Sequence, residues 1–514
     1  GILYVTAKLS LLVETIGADE YSEYWSSLIH MGPIFEPAVT AYLSKSAVAV
    51  NLLSQYGGIV EFARPFLGAA SGDPIGLFWF AFFALATSML CIWLAARRLL
   101  SGNSTLALIT TAGVIYLTGM KSQQFACFQC TNFRWFWPSL FLLFASFNIH
   151  QRPGWRWLPY LLFPIAIYWN PETGLAALAA WLGWQLIANL GSLVTGQIQL
   201  HWASTITAAF LRGALSFVAG VSLLVSYLYY KSNAIPDFSL LFQYARDFYQ
   251  LGFGMIAMPA FHLWNIYVLL AITLFSSAIQ HYLTSPERTN QAASQNCDFI
   301  VFSTLLFGLL FAYYQGRSHY TCLLSISYPL GLALIAWLGT GSPTSDSGKH
   351  LPSLRMPQQG LLLAVLSLSA AAFAITPYYL PTAAAWYRQD DHEGKRALIA
   401  FIQRTADGKR PLFISFSAWR LALLSRQSAG ATITPLAAMF RRNQLNAYVD
   451  LLKEPDVAVY YDKTTNKIFE ADPDFAWGPP LLNELSNHFN LKNAPDADTF
   501  NGDQGHLIRL RPQR

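Results

Sequence analysis

GLFWFAFFALATSMLCIWLAARR, residues 76–98, sets the class of fold. Residues 76–96 carry no charge, and the run stops at the pair Arg97-Arg98. A helix rising about 1.5 Å per residue crosses a hydrocarbon core of about 30 Å with roughly 20 residues, so this stretch is long enough to span a bilayer. Similar apolar windows fall at residues 2–17, 104–120, 134–150, 157–169, 173–195, 205–230, 259–283, 298–315, 319–340 and 359–380. The chain is 54% hydrophobic, 15% aromatic and only 12% charged, too few charges to coat a soluble globule of 514 residues. The predicted fold class is therefore a polytopic α-helical membrane protein with about eleven transmembrane helices. After about residue 380 the pattern changes to that of a small soluble α/β domain.

Basic residues in short loops set the orientation. Arg97-Arg98, Arg152 with Arg156, Arg212, Arg288, and Lys349 with Arg355 fall in alternate loops, which are read as cytoplasmic. The opposite, extracytoplasmic set is residues 18–75, 121–133, the turn at 170–173, 231–258, the turn at 316–319, and everything after 380. Lys121, Lys231, Arg246 and Arg317 fall on the side the rule disfavours and need another reason to be there. The formal charge of +5 is modest and the basic residues form no polybasic track, so nucleic acid is not an expected partner.

The expected domains are a transmembrane domain over 1–380, including a first outer loop over 18–75, and an extracytoplasmic α/β domain over 381–514. In the first loop, Pro37–Val50 and Ile59–Leu67 read as surface helices, with a bend at Ser54-Gln55-Tyr56-Gly57-Gly58. In the C-terminal part, Leu412–Phe416, Val457–Tyr461 and Leu507–Leu510 read as strands, Ala437–Lys453 and Pro480–Phe489 as helices. It has no glycine-rich phosphate loop, so no nucleotide is assigned to it.

Chemistry concentrates on the outer side. Asp19 and Glu20 follow the first apolar window among aromatic residues, where limited water raises a carboxylate toward the pKa of a working general base; the plain alternative is a solvated loop charge. Arg317 and His319 sit in a turn short enough to lie at the membrane surface. There a guanidinium meets a phosphate, or else merely snorkels to headgroups. Asn170 and Glu172 belong to Trp169-Asn170-Pro171-Glu172-Thr173-Gly174, a helix-breaking turn that caps the next helix and whose Glu172 can also bind sugar hydroxyls. Lys121 is a further basic candidate on this side. Of the five cysteines, Cys127 and Cys130 alone are closely spaced, and without a second pair or a nearby His they read as loop packing or a local disulfide rather than zinc ligands.

The order of these parts resembles the GT-C class of membrane glycosyltransferases. Asp19-Glu20 is similar to the acidic pair in the first outer loop of protein O-mannosyltransferases, and the helices after it, with Gln55 and Tyr56 in the bend, resemble that class's first loop. The C-terminal domain lacks the Trp-Trp-Asp-Tyr-Gly motif of oligosaccharyltransferases. The resemblance implies a GT-C-like fold and an inverting transfer from a polyprenyl-phosphate-linked sugar to a glycan, lipid or protein acceptor outside the membrane. Asp19 would then be the base; the small loops and compact outer domain fit a bacterial inner membrane. A lipid phosphate leaves without a metal, so no cofactor is required, although a divalent cation at Asp19, Glu20 or Glu172 is compatible with the set.

Other readings stay open at this level. A glycan polymerase or ligase uses the same donors but fits the acidic loop and the large C-terminal part less well. A transporter calls for repeats and ionisable groups near the midplane, and a scaffold would use the outer domain only to dock a partner.

Overall fold

The computed structural model describes residues 33–44, 46–72, 75–100, 102–115, 132–194, 202–246, 258–260, 262–284, 291–316, 320–340, 392–415, 418–426, 442–463, 465, 478–489, 498–502 and 505–512. The chain forms two compact units: the described parts of Phe82–Leu224 and Met255–Leu380 make one, and those of Leu9–Ala81, Val225–Gly254 and Pro381–Arg514 the other.

Up to residue 72 the chain holds α1 (33–43), α2 (Ile59–Phe62) and α3 (Arg64–Ala69). Next come α4 (Ile75–Leu99), α5 (Ser104–Ile115), α6 (Asn132–Ser146), α7 (Leu158–Trp169), α8 (Pro171–Val194) and α9 (Trp202–Ser232). The helical part continues with α10 (Leu263–Thr284), α11 (Gln291–Gly316), α12 (Tyr320–Ile326) and α13 (Tyr328–Thr340). Among the described residues four helical stretches, Trp79–Leu99, Phe210–Ser232, Leu263–His281 and Gln295–Gln315, are long and apolar enough to cross a membrane. Windows 2–17 and 359–380 lie outside the described residues.

In the first unit α11 is the central helix, packed against α6, α8, α10 and α13. It buries Phe299, Ile300, Val301, Phe302, Leu306 and Phe307. The window 319–340, read as one helix, is two, interrupted at Ser327. Pro329 explains the break: its ring cannot accept the carbonyl four residues earlier, and that freed carbonyl, on Ser325, instead takes the Trp135 Nε1–H at 2.7 Å. At one end of the unit Arg98 Nη2 donates to Gln295 Oε1 at 2.6 Å, joining the end of α4 to the first turns of α11.

The second unit contains a four-stranded sheet of β1 (Arg410–Ile414), β2 (Val457–Asp462), β3 (Thr499–Gly502) and β4 (Gly505–Arg509), in the order β1-β2-β4-β3. β1 and β2 are parallel, and β4 is antiparallel to both β2 and β3. A parallel pair covered on both faces is apolar throughout, and Val457–Asp462 is buried at every position. One face packs Leu412, Ile414, Val459, Tyr461 and Ile508 against Leu445, Tyr448, Leu481 and Leu485 of the helices Arg442–Leu452 and Gly478–His488. On the other face Tyr460 shares a hydrogen bond with Thr405 Oγ1 at 2.9 Å. In the first loop the helix expected over Pro37–Val50 starts earlier and stops sooner, with Pro33 and Pro37 inside it. This is α1, which ends at 43 rather than 50, and residues Ala47 to Leu52 form turns closed by the Ala47 carbonyl.

Candidate functional site

The site is built where α7 gives way to α8. Asn170 precedes Pro171, which drives it out of the helical region to φ −149°, ψ 109° and ends α7. Its Oδ1 then accepts from the backbone N–H and the Oγ1 of Thr173, both at 3.0 Å, capping α8. Asn170 is 2% exposed, and its side-chain oxygen serves this cap. Gly174 lets the two helices close up, since a Cβ there would lie 2.5 Å from Ile167 Cα.

The cap places Glu172 in the first turn of α8, where the helix dipole favours a carboxylate. Its Oε2 pairs with Arg134 Nη2 at 3.1 Å. Arg134 extends from the first turn of α6, its guanidinium 3.7 Å above the centre of the Tyr313 ring, near the end of α11. The Arg134 side chain is 9% exposed and that of Glu172 38%. A buried, stacked arginine thus holds a carboxylate that faces outward, and Glu172 Oε1 has no partner among the described residues. Trp169 ties the same corner together, stacking on Phe136 at 4.8 Å and donating from Nε1 to the Phe133 carbonyl at 2.9 Å. Beside it Tyr314 Oη and His262 Nδ1 lie 3.2 Å apart. The start of α6, the α7–α8 turn, the approach to α10 and the end of α11 therefore meet.

Arg134 was missed in the sequence because it opens an aromatic helix, Asn132-Phe133-Arg134-Trp135-Phe136-Trp137, where one basic residue reads as an interfacial anchor. A signal was present nonetheless. No Asp or Glu occurs between Asp73 and Glu172, which leaves Glu172 as a conspicuous candidate partner.

In the second unit the bend at Ser54–Gly58 is present, with Gly57 at φ 81° and the Tyr56 N–H directed at Ser54 Oγ, 3.4 Å away. Tyr56 is 5% exposed and belongs to the core of its unit, while Gln55 is half-buried. Lys231, one of the basic residues that break the loop rule, gains its reason here: its Nζ pairs with Glu61 Oε2, and Glu61 Oε1 accepts from the Val48 N–H at 3.0 Å. Burial pushes the carboxyl of Glu36, on α1, up to about 8. Burial, with Glu36 and Tyr244 nearby, raises the Tyr448 phenol well above its ordinary value.

Asp19, Glu20, Lys121, Cys127, Cys130, Arg317 and His319 lie outside the described residues. Among the described residues no three His, Cys, Asp or Glu side chains stand together as metal ligands.

No protein-family model matches the chain, and no curated protein does. Among solved structures it is similar to ArnT from Cupriavidus metallidurans, in a structure bound to undecaprenyl phosphate, at 11% identity and TM-score 0.49 over 99% of this chain and 96% of that one. It is also similar to the oligosaccharyltransferase AglB from Archaeoglobus fulgidus, solved with an inhibitory peptide and a dolichol-phosphate, at 10% identity and TM-score 0.47 over 99% and 74%. An apo structure of the Archaeoglobus fulgidus oligosaccharyltransferase aligns at 11% identity and TM-score 0.45 over 95% and 72%.

Proposed function

We propose that the chain is a membrane glycosyltransferase of GT-C type that moves a sugar from a polyprenyl-phosphate donor to a glycan, lipid or protein acceptor on the extracytoplasmic face, with inversion. The observation that carries the reading is the Arg134–Glu172 pair: a carboxylate fixed from behind by a buried guanidinium, open in front, at the helix ends that the loop charges assign to the outer side. Such a carboxylate accepts hydrogen bonds from sugar hydroxyls without having to be ordered first, which favours oriented binding. Asp19, with Glu20 beside it in sequence, takes the acceptor proton as general base. Arg317, with His319 or Lys121, stabilises the departing lipid phosphate. No metal is needed for that leaving group, and a divalent cation at Asp19, Glu20 or Glu172 would serve only to gather charge.

The test is transfer of label from a panel of polyprenyl-phosphate sugars by the full-length protein, wild type beside Asp19→Asn, with native lipid extract as the acceptor source. Transfer by wild type that drops at least about 100-fold in a folded Asp19→Asn variant supports class and base together. No donor consumption while a control transferase turns over would overturn the reading.

A further inference from the structure

At the end of α6 the chain turns at Asn148, which adopts the left-handed region (φ 49°, ψ 45°), and enters a 3₁₀ turn at Ile149–Gln151. Residues Gln151 to Trp157 are then exposed in succession. The segment is nonetheless well tied: the backbone N–H groups of Trp155 and Arg156 both donate to the Arg152 carbonyl at 3.0 Å, that of Leu158 to Trp155 at 3.0 Å, and Trp157 Nε1 to the Gly154 carbonyl at 2.8 Å. Its underside is pinned by the His150 ring, 4.3 Å from Trp184 and 6.3 Å from Trp181 in edge-on contact. The turn is thus an ordered platform whose outer surface holds two arginines and two tryptophans, with Trp155 56% and Trp157 44% exposed.

Two open indoles are unfavourable in water, and two arginines without carboxylates repel. Among the described residues neither Arg152 nor Arg156 has an acidic partner, and no Asp or Glu occurs from residue 74 to 171. Indole rings settle where apolar tails meet headgroups, and guanidinium groups pair bidentately with phosphate. The platform lies between two apolar helices, α6 and α7, so a bilayer surface is within its reach.

We propose that the turn from Asn148 to Trp157 is a binding surface for anionic phospholipid headgroups, with Arg152 and Arg156 on the phosphates and Trp155 and Trp157 at the boundary with the acyl chains. The lipid held here is a structural partner at the opposite end of α6 from Arg134, and it needs no transferase chemistry to bind.

Native mass spectrometry of the full-length protein, released from detergent containing equal phosphatidylglycerol and phosphatidylcholine, tests this. Wild type retains phosphatidylglycerol in preference; Arg152→Gln with Arg156→Gln lowers that preference about 25-fold, and the double lysine variant keeps most of it. If the double glutamine variant does not purify folded, Arg156→Gln alone is expected to give about a five-fold drop. An unchanged preference in the folded glutamine variant overturns the proposal. Excess inorganic phosphate, matched in ionic strength with chloride, separates the sources of the anion: loss of the preference with phosphate but not with chloride means a free-anion site and also overturns it.

Discussion

Glu172 and Glu61 each hold a cation, but the Glu172 side chain is 38% exposed with Arg134 behind it, whereas Glu61 and Lys231 are 1% and 4% exposed. Glu61 also spends its second oxygen on the Val48 N–H, so its hydrogen-bonding capacity is turned inward to the first loop. Glu172 keeps an oxygen outward. The difference teaches how to tell a pin from a site in a chain this poor in charge. A buried pair with both carboxylate oxygens engaged locks two segments together, while a pair buried on one side only is a held functional group. Glu36 is a third case, a residue with no cation among the described residues, and burial of its carboxyl raises its pKa to about 8.

The largest effect should come from breaking the pin. Lys231→Met leaves Glu61 buried without its cation and is expected to cost ~3–5 kcal/mol, read as a lowered Tm in detergent. Adding Glu61→Leu should recover most of that loss. If the single variant is as stable as wild type, the pair is not a pin.

The open pair should behave differently. Arg134→Gln is expected to reduce kcat/KM for sugar transfer about 100-fold, equivalent to ~2.7 kcal/mol, with a smaller change in Tm than Lys231→Met gives. A variant that loses stability and activity in proportion would place Arg134 among the structural residues.

The smallest effect belongs to Glu36. Its carboxyl is raised from 4.5 to about 8 in the folded protein, so folding binds an extra proton between those values. Stability is then full below pH 4.5 and falls as pH rises through about 8, by on the order of 2 kcal/mol given its partial exposure. Glu36→Gln should flatten Tm across that window, and an equally steep fall in the variant would assign the titration elsewhere.

Composition and the length of the apolar windows made the helical part legible. Eight of the predicted windows each overlie one described helix and a ninth, 319–340, overlies two, because a span of about 20 apolar residues has few other ways to satisfy its backbone in a bilayer. The split at Ser327 was not read, although Pro329 announced it, because the apolar composition runs on unbroken through the kink. In the sheet, β1, β2 and β4 show as short apolar runs, Leu412-Phe413-Ile414, Val457–Tyr461 and Leu507-Ile508. β3, Thr499-Phe500-Asn501-Gly502, has only one large apolar residue and owes its form to pairing with β4. At the site the turn around Asn170 was legible as a cap and Glu172 as a candidate. The partner that gives Glu172 its orientation was not, since Arg134 lies 38 positions earlier and only the packing of α6 against α8 joins them.

The most direct measurement is a double-mutant cycle on transfer, comparing kcat/KM for wild type, Arg134→Gln, Glu172→Gln and the double variant with one polyprenyl-phosphate sugar. If Arg134 acts by holding Glu172, the double variant is no slower than the slower single, with a coupling of ~1–3 kcal/mol. Losses that simply add would contradict the account, because they would mean the two residues serve the reaction separately.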